Sequence, residues 1–517
     1  MQDSNSQKWI EAMNEEYKLM QDNNVWELVL LLECVKPIGC KWIFKTKRDL
    51  NGNVERYKAR LVAKGYTQKY GIDFKETFSP VSTKDSLRTI MALVAHFDME
   101  LHQMDVKTAF PNGDIEETIY MVQPEYFVLG DPKSMVCKLK KSIYGLKQAS
   151  HQWYHKFHQI IISFGFEVNM VDDCVYHKFS GSKHIFLVLY VDDILLATND
   201  IGMLNDTKRF LSRYFEMKDL SNASFVLGIQ IHRDRSRGIL GLSQKNYIDK
   251  VLKRFGMQDC KSGNTLVAKG DKFSLKQCPK GSLETQEMQK IPYASAVGSL
   301  MYAQVCTHPD ITYIVGVLGR YLNNPGMDHW KAAKRVMRYL KRTSDYMLTY
   351  KRSDTLEIMG YSDSDFAGCQ DSMRSTSGYV FLLAGGAISW RSAKQALTAS
   401  STMAAEFIAC YEASNHGIWL KNFVTGLRIL GNVERPLKLF CDNRSAVLYS
   451  NNNRSSTKSK HIDIKFLVVK ERVQSGQISI EHIGTNSMIA DPFTKGLPPN
   501  VFYEHTTHMG VIQFGEI

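Results

Sequence analysis

Apolar residues run almost without a break from Ile185 to Val191, stop at Asp192 and Asp193, and resume from Ile194 to Ala197. A β-prone run of this kind predicts two buried strands joined by a tight turn that carries both acids. His102-Gln103-Met104-Asp105-Val106 is a further β-like stretch with an acid near its end. Farther along, Ala296, Leu300 and Ala303, then Ile314, Val317, Leu318 and Tyr321, recur at helix-face spacing. Asn324-Pro325-Gly326 breaks that pattern, and a basic helix from His329 to Arg342 resumes it. The last third predicts an extended Leu356–Tyr361, then Gly378–Leu383 and Ala387–Trp390 as a hairpin about Gly385-Gly386. A helix over Thr398–Ser414 and strands at Pro436–Cys441 and Ile478–Ile483 follow. Near the start, Asn51-Gly52 between extended stretches is a strong hairpin signal.

These patterns divide the 517 residues at about 235, 355 and 500: mixed helix and strand over 1–235, a helical stretch over 236–355, and strand–hairpin–helix–strand over 356–500. Lys261 to Lys290 reads as a linker or long loop, and 501–517 as a poorly anchored tail.

Composition adds a partner class. Hydrophobic residues make up 44% and charged residues 23%, which fits a folded chain, and the net charge is +12. Such an excess suits nucleic acid, with an anionic membrane surface as the rival reading; no basic amphipathic helix with a strongly apolar face supports the latter. Lys45, Lys47, Arg48, Arg56, Lys58, Arg60, Lys64 and Lys69 interleave with Trp42, Phe44, Tyr57 and Tyr66. That alternation reads as a nucleic-acid or nucleotide groove, or as a solvated sheet face. The ten cysteines are scattered with no CxxC pair, so free buried thiols are expected rather than zinc ligands or disulfides. The polar N-terminus has no signal-peptide core, and the apolar runs are far shorter than the roughly 20 residues of a membrane span. A cytoplasmic, non-secreted protein without membrane contact is expected.

Two carboxylates at a turn between buried strands are costly unless a cation compensates them, although a surface Asp-Asp turn is the simple alternative. Asp105 from another strand favours the cation: acids from separate strands can hold two magnesium ions about 4 Å apart for phosphoryl transfer. In the last third, Asp363 and Asp442 at strand ends, Glu406 on a helix and Asp491 at a final turn can likewise converge on two metals. Each alone reads equally as a cap or a surface charge.

The motifs carry a resemblance. Tyr190-Val191-Asp192-Asp193 resembles the YxDD box of reverse transcriptases. Asp105-Val106-Lys107-Thr108-Ala109-Phe110, Ser142-Ile143-Tyr144-Gly145-Leu146-Lys147-Gln148-Ala149-Ser150 and Lys58-Ala59-Arg60-Leu61-Val62-Ala63-Lys64-Gly65 resemble segments of the copia-type LTR retrotransposon family, in the same order. Tyr361 to Gly368, Ala405 to Ala409, Cys441 to Ala446, Lys460 to Ile464 and Ile489 to Lys495 are similar to that family's RNase H region. The resemblance implies an α+β chain: right-hand polymerase fingers and palm over 1–235, a thumb/connection over 236–355, and an RNase H-like mixed α/β domain over 356–500. It implies catalytic and metal-binding roles for Asp105, Asp192, Asp193, Asp363, Glu406, Asp442 and Asp491, with two Mg2+ per site or Mn2+ in their place. Lys58, Arg60 and Lys64 would meet triphosphate and template, Phe110 the sugar of the dNTP, Tyr144 and Gly145 the nascent pair, and Tyr190 would also bind substrate. His461 is either an aid to product release or structural. The implied partners are an RNA template, a DNA primer, RNA–DNA hybrid and dNTPs, in a virus-like particle where the element is intact.

The sequence departs from the family pattern at Pro111, His151, His308, Ala404 and Leu467. Proline restricts the residue before it to extended backbone, so Pro111 is expected to displace Phe110, or to cost almost nothing if Phe110 is already extended. With no protease or zinc-knuckle motif ahead of the polymerase, a piece of a longer polyprotein is expected. The functional expectation is a reverse transcriptase with RNase H activity, from a partly decayed copy; the alternative is an inactive remnant that only binds nucleic acid.

Overall fold

A computed structural model describes residues 5–33, 35–48, 53–131, 134–267, 271–429, 435–452 and 464–513. The chain forms two compact units, Met1–Ser82 with His102–Val168 and Asp172–Ser221, and Thr83–Leu101 with Asn169–Val171 and Asn222–Ile517. Both mix helices and sheets. No described helix is long and apolar enough to cross a membrane. The described cysteines are free, most of them buried.

In the first unit a six-stranded sheet runs in the order Met217–Asn222, Glu100–Val106, Asp193–Thr198, Lys183–Tyr190, Val175–Ser180, Glu167–Val168. The apolar run forms its centre because both faces are covered: Ile185 to Leu189 and Ile194 to Ala197 are all buried. Those two strands pair antiparallel with Tyr190 opposite Asp193, leaving Val191-Asp192 as a two-residue turn. Helix Ala149–Ser163 packs Trp153, Phe157 and Ile161 into the same core. A second core lies under Cys40–Arg48 and Val54–Ala63, which pair antiparallel, and a three-stranded sheet of Trp26–Leu30, Met135–Lys141 and Asp114–Met121. The Asn51-Gly52 hairpin signal lies outside the described residues, between the two paired strands.

The second unit contains two five-stranded sheets. One has the order Phe225–Val226, Ile229–Asp234, Ile239–Ser243, Tyr346–Lys351, Val511–Gln513 and accompanies a helical cluster of Lys245–Arg254, Tyr293–Cys306, Thr312–Gly319 and Met327–Arg342. The other has the order Gly386–Lys394, Thr376–Leu383, Met359–Ser364, Leu437–Cys441, Ile478–His482, its last three strands parallel. Helix Thr402–Gly426 covers it.

Three expectations are corrected. The division at 235 falls inside an antiparallel pair, Ile229–Asp234 with Ile239–Ser243. Helix Lys84–His96 also groups with the second unit rather than with 1–235. It is buried at every residue from Ser86 to Ala95, and its Arg88 donates to the carbonyls of Val305, Cys306 and Ile388, partners no local pattern announces. The described part of the expected tail is ordered: Pro499–His508 is a helix and Val511–Gln513 pairs with Tyr346–Lys351, because Phe502 and Tyr503 pack on the helical cluster and Met509 and Val511 are buried. The expected linker contains helix Ser282–Gln289, whose Met288 joins the same cluster.

Candidate functional site

The first group of acids lies on the six-stranded sheet. Val191, a β-branched residue, takes φ +60° in the turn, the pattern of a type II′ hairpin where glycine is normally favoured. The Trp153 indole N–H donates to the Val191 carbonyl at 2.7 Å and braces that turn. On the neighbouring strand the Val106 N–H donates to the Asp192 carbonyl at 2.9 Å, which brings Asp105 beside Asp192. Burial, then the Asp192 charge, pushes the Asp105 carboxyl upward against the pull of Lys58, Lys218 and Lys47. Burial also raises Asp193; the Gln103 amide N–H, donated to its carboxylate at 2.9 Å, opposes this, while Asp192 and Asp105 add to it.

Asp105 and Asp192 line a cleft of about 490 Å³ whose other walls carry Lys47, Arg56, Lys58, Arg60, Tyr144 and Lys218. The Arg60 guanidinium stands 4.5 Å from the Tyr144 ring centre, and Phe110 meets Tyr144 edge to face at 5.0 Å. Gly145 fixes this arrangement: its φ is +91°, and a Cβ there would sit 2.2 Å from the Ala63 carbonyl oxygen. Lys64 and Asp193, both expected at this site, do not line the cleft; the Lys64 side chain lies along Gly39, and Asp193 turns to Gln103. Tyr190 sits opposite Asp193 at the end of its strand, half-buried. Pro111 does not extend Phe110. Phe110–Asn112 is a one-turn 3₁₀ helix with Pro111 buried near its start, where the missing N–H has no helical partner to lose.

The second group lies on the sheet with the parallel strands. Carboxylate oxygens of Asp363, Asp442 and Asp491 fall within 4.8 Å of one another, and Glu406, Cys441 and Asp442 form a second such group. Parallel register explains half of this: Ser362 is level with Cys441, so the next residues, Asp363 and Asp442, leave adjacent strands side by side. Ser401 caps the helix that carries Glu406, accepting from the Ala404 N–H, and the Ser364 N–H donates to Glu406 at 3.2 Å. Lys495 lies 2.8 Å from Asp491 and 3.5 Å from Asp363, and the Thr494 hydroxyl donates to Asp363.

Burial, reinforced by Asp363, lifts the Asp491 carboxyl to about 7. Burial followed by the charges of Asp363, Cys441 and Asp442 lifts Glu406 well above the carboxylate range, and Asp363 is raised mainly by burial. Lys495 moves upward because its acidic neighbours outweigh its own burial. The acids are thus short of positive charge even with Lys495 present, and the two groups could hold a metal ion. His461 and Lys460 to Asp463 lie outside the described residues.

Sequence reasoning missed Trp153, Gln103 and Lys218. Each acts across the fold, and only the i,i+4 spacing of Lys495 from Asp491 left a local trace.

Residues 23–269 match the family described as reverse transcriptase (RNA-dependent DNA polymerase). The retrovirus-related Pol polyprotein from transposon TNT 1-94 of Nicotiana tabacum is 46% identical over 494 residues, 95% of this chain and 37% of that protein. The corresponding polyprotein from transposon RE1 of Arabidopsis thaliana is 35% identical over 506 residues, 98% of this chain and 34% of its own length. A transposon Ty5-1 protein of Saccharomyces cerevisiae is 32% identical over 292 residues, covering 56% of this chain and 92% of that protein. The chain therefore spans little more than a third of the long polyproteins it matches. Among solved structures, a foamy viral protease-reverse transcriptase in complex with dsDNA superposes with a TM-score of 0.47 at 11% identity, over 92% of this chain and 83% of that one.

Proposed function

The chain belongs to the copia-type family of retrotransposon Pol polyproteins, and from that premise we propose that it is an RNA-directed DNA polymerase whose second acid group cleaves RNA in RNA–DNA hybrids. The observation that carries this reading is the cleft in which Asp105 and Asp192 face Lys58 and Arg60. That pairing of acids with cations suits a primer terminus and a triphosphate meeting at one point.

In this reading Lys58 and Arg60 draw in the dNTP triphosphate, and the Phe110–Tyr144 ring pair bounds the sugar and the nascent base pair. Trp153 and Gln103 hold Asp192 and Asp193 at fixed positions. Asp105, Asp192 and Asp193 at the first site and Asp363, Glu406, Asp442 and Asp491 at the second would hold divalent ions, magnesium or manganese, which would supply charge neutralisation and activation of the attacking oxygen. At the second site Asp363, Glu406, Asp442 and Asp491 converge on the scissile phosphate, and Lys495 keeps Asp363 and Asp491 from spreading apart. The +12 net charge supports salt-sensitive binding of an RNA template, a DNA primer and their hybrid. The test is extension of a DNA primer on an RNA template with dNTPs and Mg2+, followed by cleavage of a labelled hybrid. Folded protein that binds hybrid yet incorporates no dNTP overturns the polymerase assignment; incorporation without hybrid cleavage overturns the second site alone.

A further inference from the structure

Helix Ala149–Ser163 carries His151 and His155, members of neither acid group, one turn apart on the same face. Their Nε2 atoms are 3.0 Å apart and their rings cross at 81°. His151 is half-buried and His155 exposed. Two imidazole nitrogens bonded to one tetrahedral zinc ion, each at about 2.05 Å, are about 3.3 Å apart. The pair therefore needs to open by only a few tenths of an ångström and to turn both Nε2 lone pairs from each other toward one ion. Histidines at i and i+4 on a helix are the spacing at which one ion takes both.

The surroundings favour a cation over the hydrogen bond that the two rings now share. Glu76 and Glu117 are the acids whose charge reaches His151. Glu117 has a buried carboxylate oxygen, and His151 a buried Nδ1, with no hydrogen-bond partner among the described residues. Burial, then His155, lowers the His151 pKa, so the ring is in its neutral, metal-ligating form at pH 7.

We propose that His151 and His155 form a binding site for a divalent transition ion of the zinc class, with the Glu76 or Glu117 carboxylate beside them and water completing the shell. Binding displaces the hydrogen between the two Nε2 atoms, either to solvent or to Nδ1 of the same ring. Imidazole selects zinc, nickel or cobalt over magnesium, which keeps this site separate from the oxygen-lined acid groups. The ion would pin the first two turns of the helix that holds Trp153.

The experiment is titration of the full chain with Zn2+, followed by calorimetry, in buffer containing excess Mg2+, repeated with Co2+ followed by its visible absorption. His155→Ala is the variant, because the side chain is exposed and its loss leaves the fold intact. The parent should bind one Zn2+ that His155→Ala binds at least tenfold more weakly, since losing a ligand costs no less than the ten- to hundredfold typical of losing a ligand's hydrogen-bond partner. Parent affinity should fall below about pH 6 as imidazole protonates. Equal zinc affinity in parent and His155→Ala, or zinc binding that Asp442→Asn removes and His155→Ala does not, overturns the proposal.

Discussion

Trp153→Phe isolates the brace on the acid-bearing turn. The substitution keeps most of the buried ring, which is 2% exposed, and removes the N–H that reaches the Val191 carbonyl at 2.7 Å. A net hydrogen bond of this kind contributes about 1 kcal/mol, rising toward about 3 kcal/mol where the carbonyl stays buried without a partner. Against it stands Val191 at φ +60°, a conformation that costs on the order of 1–3 kcal/mol for a β-branched residue. The two quantities are of equal size, so losing the brace lets the turn relax and carries Asp192 with it. A shift of about 1.4 kcal/mol between braced and relaxed turns is tenfold in population. Primer extension by Trp153→Phe should therefore show kcat lower by roughly tenfold, with KM for dNTP changed far less, since Lys58 and Arg60 are untouched. Val191→Gly removes the strain, so Trp153→Phe in a Val191→Gly background should cost less than twofold, a coupling read from the double-mutant cycle. Equal kcat for Trp153→Phe and parent, or strictly additive effects in the cycle, refutes the argument that strain and brace balance one another.

The two acid groups should separate cleanly. Asp192→Asn should abolish primer extension and leave salt-sensitive hybrid binding within twofold, while Asp442→Asn should abolish RNA cleavage and leave extension; loss of both activities in either folded variant contradicts two sites. The Asp491 carboxyl, lifted by burial and Asp363 to about 7, and Glu406, raised in the same direction, have folded-state pKa values above their unfolded ones. The Asp491 contribution to stability is complete below about pH 4 and is lost as pH rises through about 7, and Glu406 acts in the same direction. Melting of the chain in EDTA should accordingly fall between pH 5 and pH 8, and Mg2+ should reduce that fall; a melting temperature that rises over this interval in EDTA reverses the sign and rejects it. Pro111→Leu should change dNTP incorporation by less than about threefold, because Pro111 occupies a turn that needs no N–H there; a tenfold gain would show that the proline impairs the site.

What was legible in the sequence is what local chemistry dictates. The run from Ile185 to Ala197 announces its strands because both faces are buried, whereas the hairpin turn read at Gly385-Gly386 falls one residue earlier, at Ala384 and Gly385 with φ +51° and +77°, and Gly386 already pairs with Leu383. Acids at strand ends were legible for the same reason. What stayed hidden depends on distant partners. The helix expected to end at Ser414 continues to Gly426, because Gly417 fits against Phe381 and Leu437, and Leu420 and Phe423 bury beyond it. Gly417 favours a helix end on local preference alone, and packing overrides it. Lys64 reads as one of a basic series with Lys58 and Arg60, yet the strand ends at Ala63 and the lysine side chain turns toward Gly39. Trp153 reads as an ordinary helix-face aromatic; its contact with Val191 spans 38 residues.

The departures from the family pattern bear on whether the chain is an inactive remnant. Pro111 is buried in a 3₁₀ turn that accepts it. His308 is buried with its Nδ1 3.3 Å from Asp310, whose other oxygen accepts the Tyr339 hydroxyl at 2.6 Å, so the histidine sits in a polar cluster of the helical core rather than at an acid group. Ala404 is buried in the first turn of its helix, where the Ser401 cap satisfies its N–H and Glu406 keeps its place two residues on. Leu467 is half-buried at the end of a short 3₁₀ segment ahead of Val468–Gln474. His151 faces His155 on the surface of its helix. None of these side chains contributes a ligand oxygen to either group of acids, and all seven acids remain. Loss of chemistry would have to come through the positioning of intact groups, which is why the Trp153 brace, rather than any of the replaced positions, is where a defect would act.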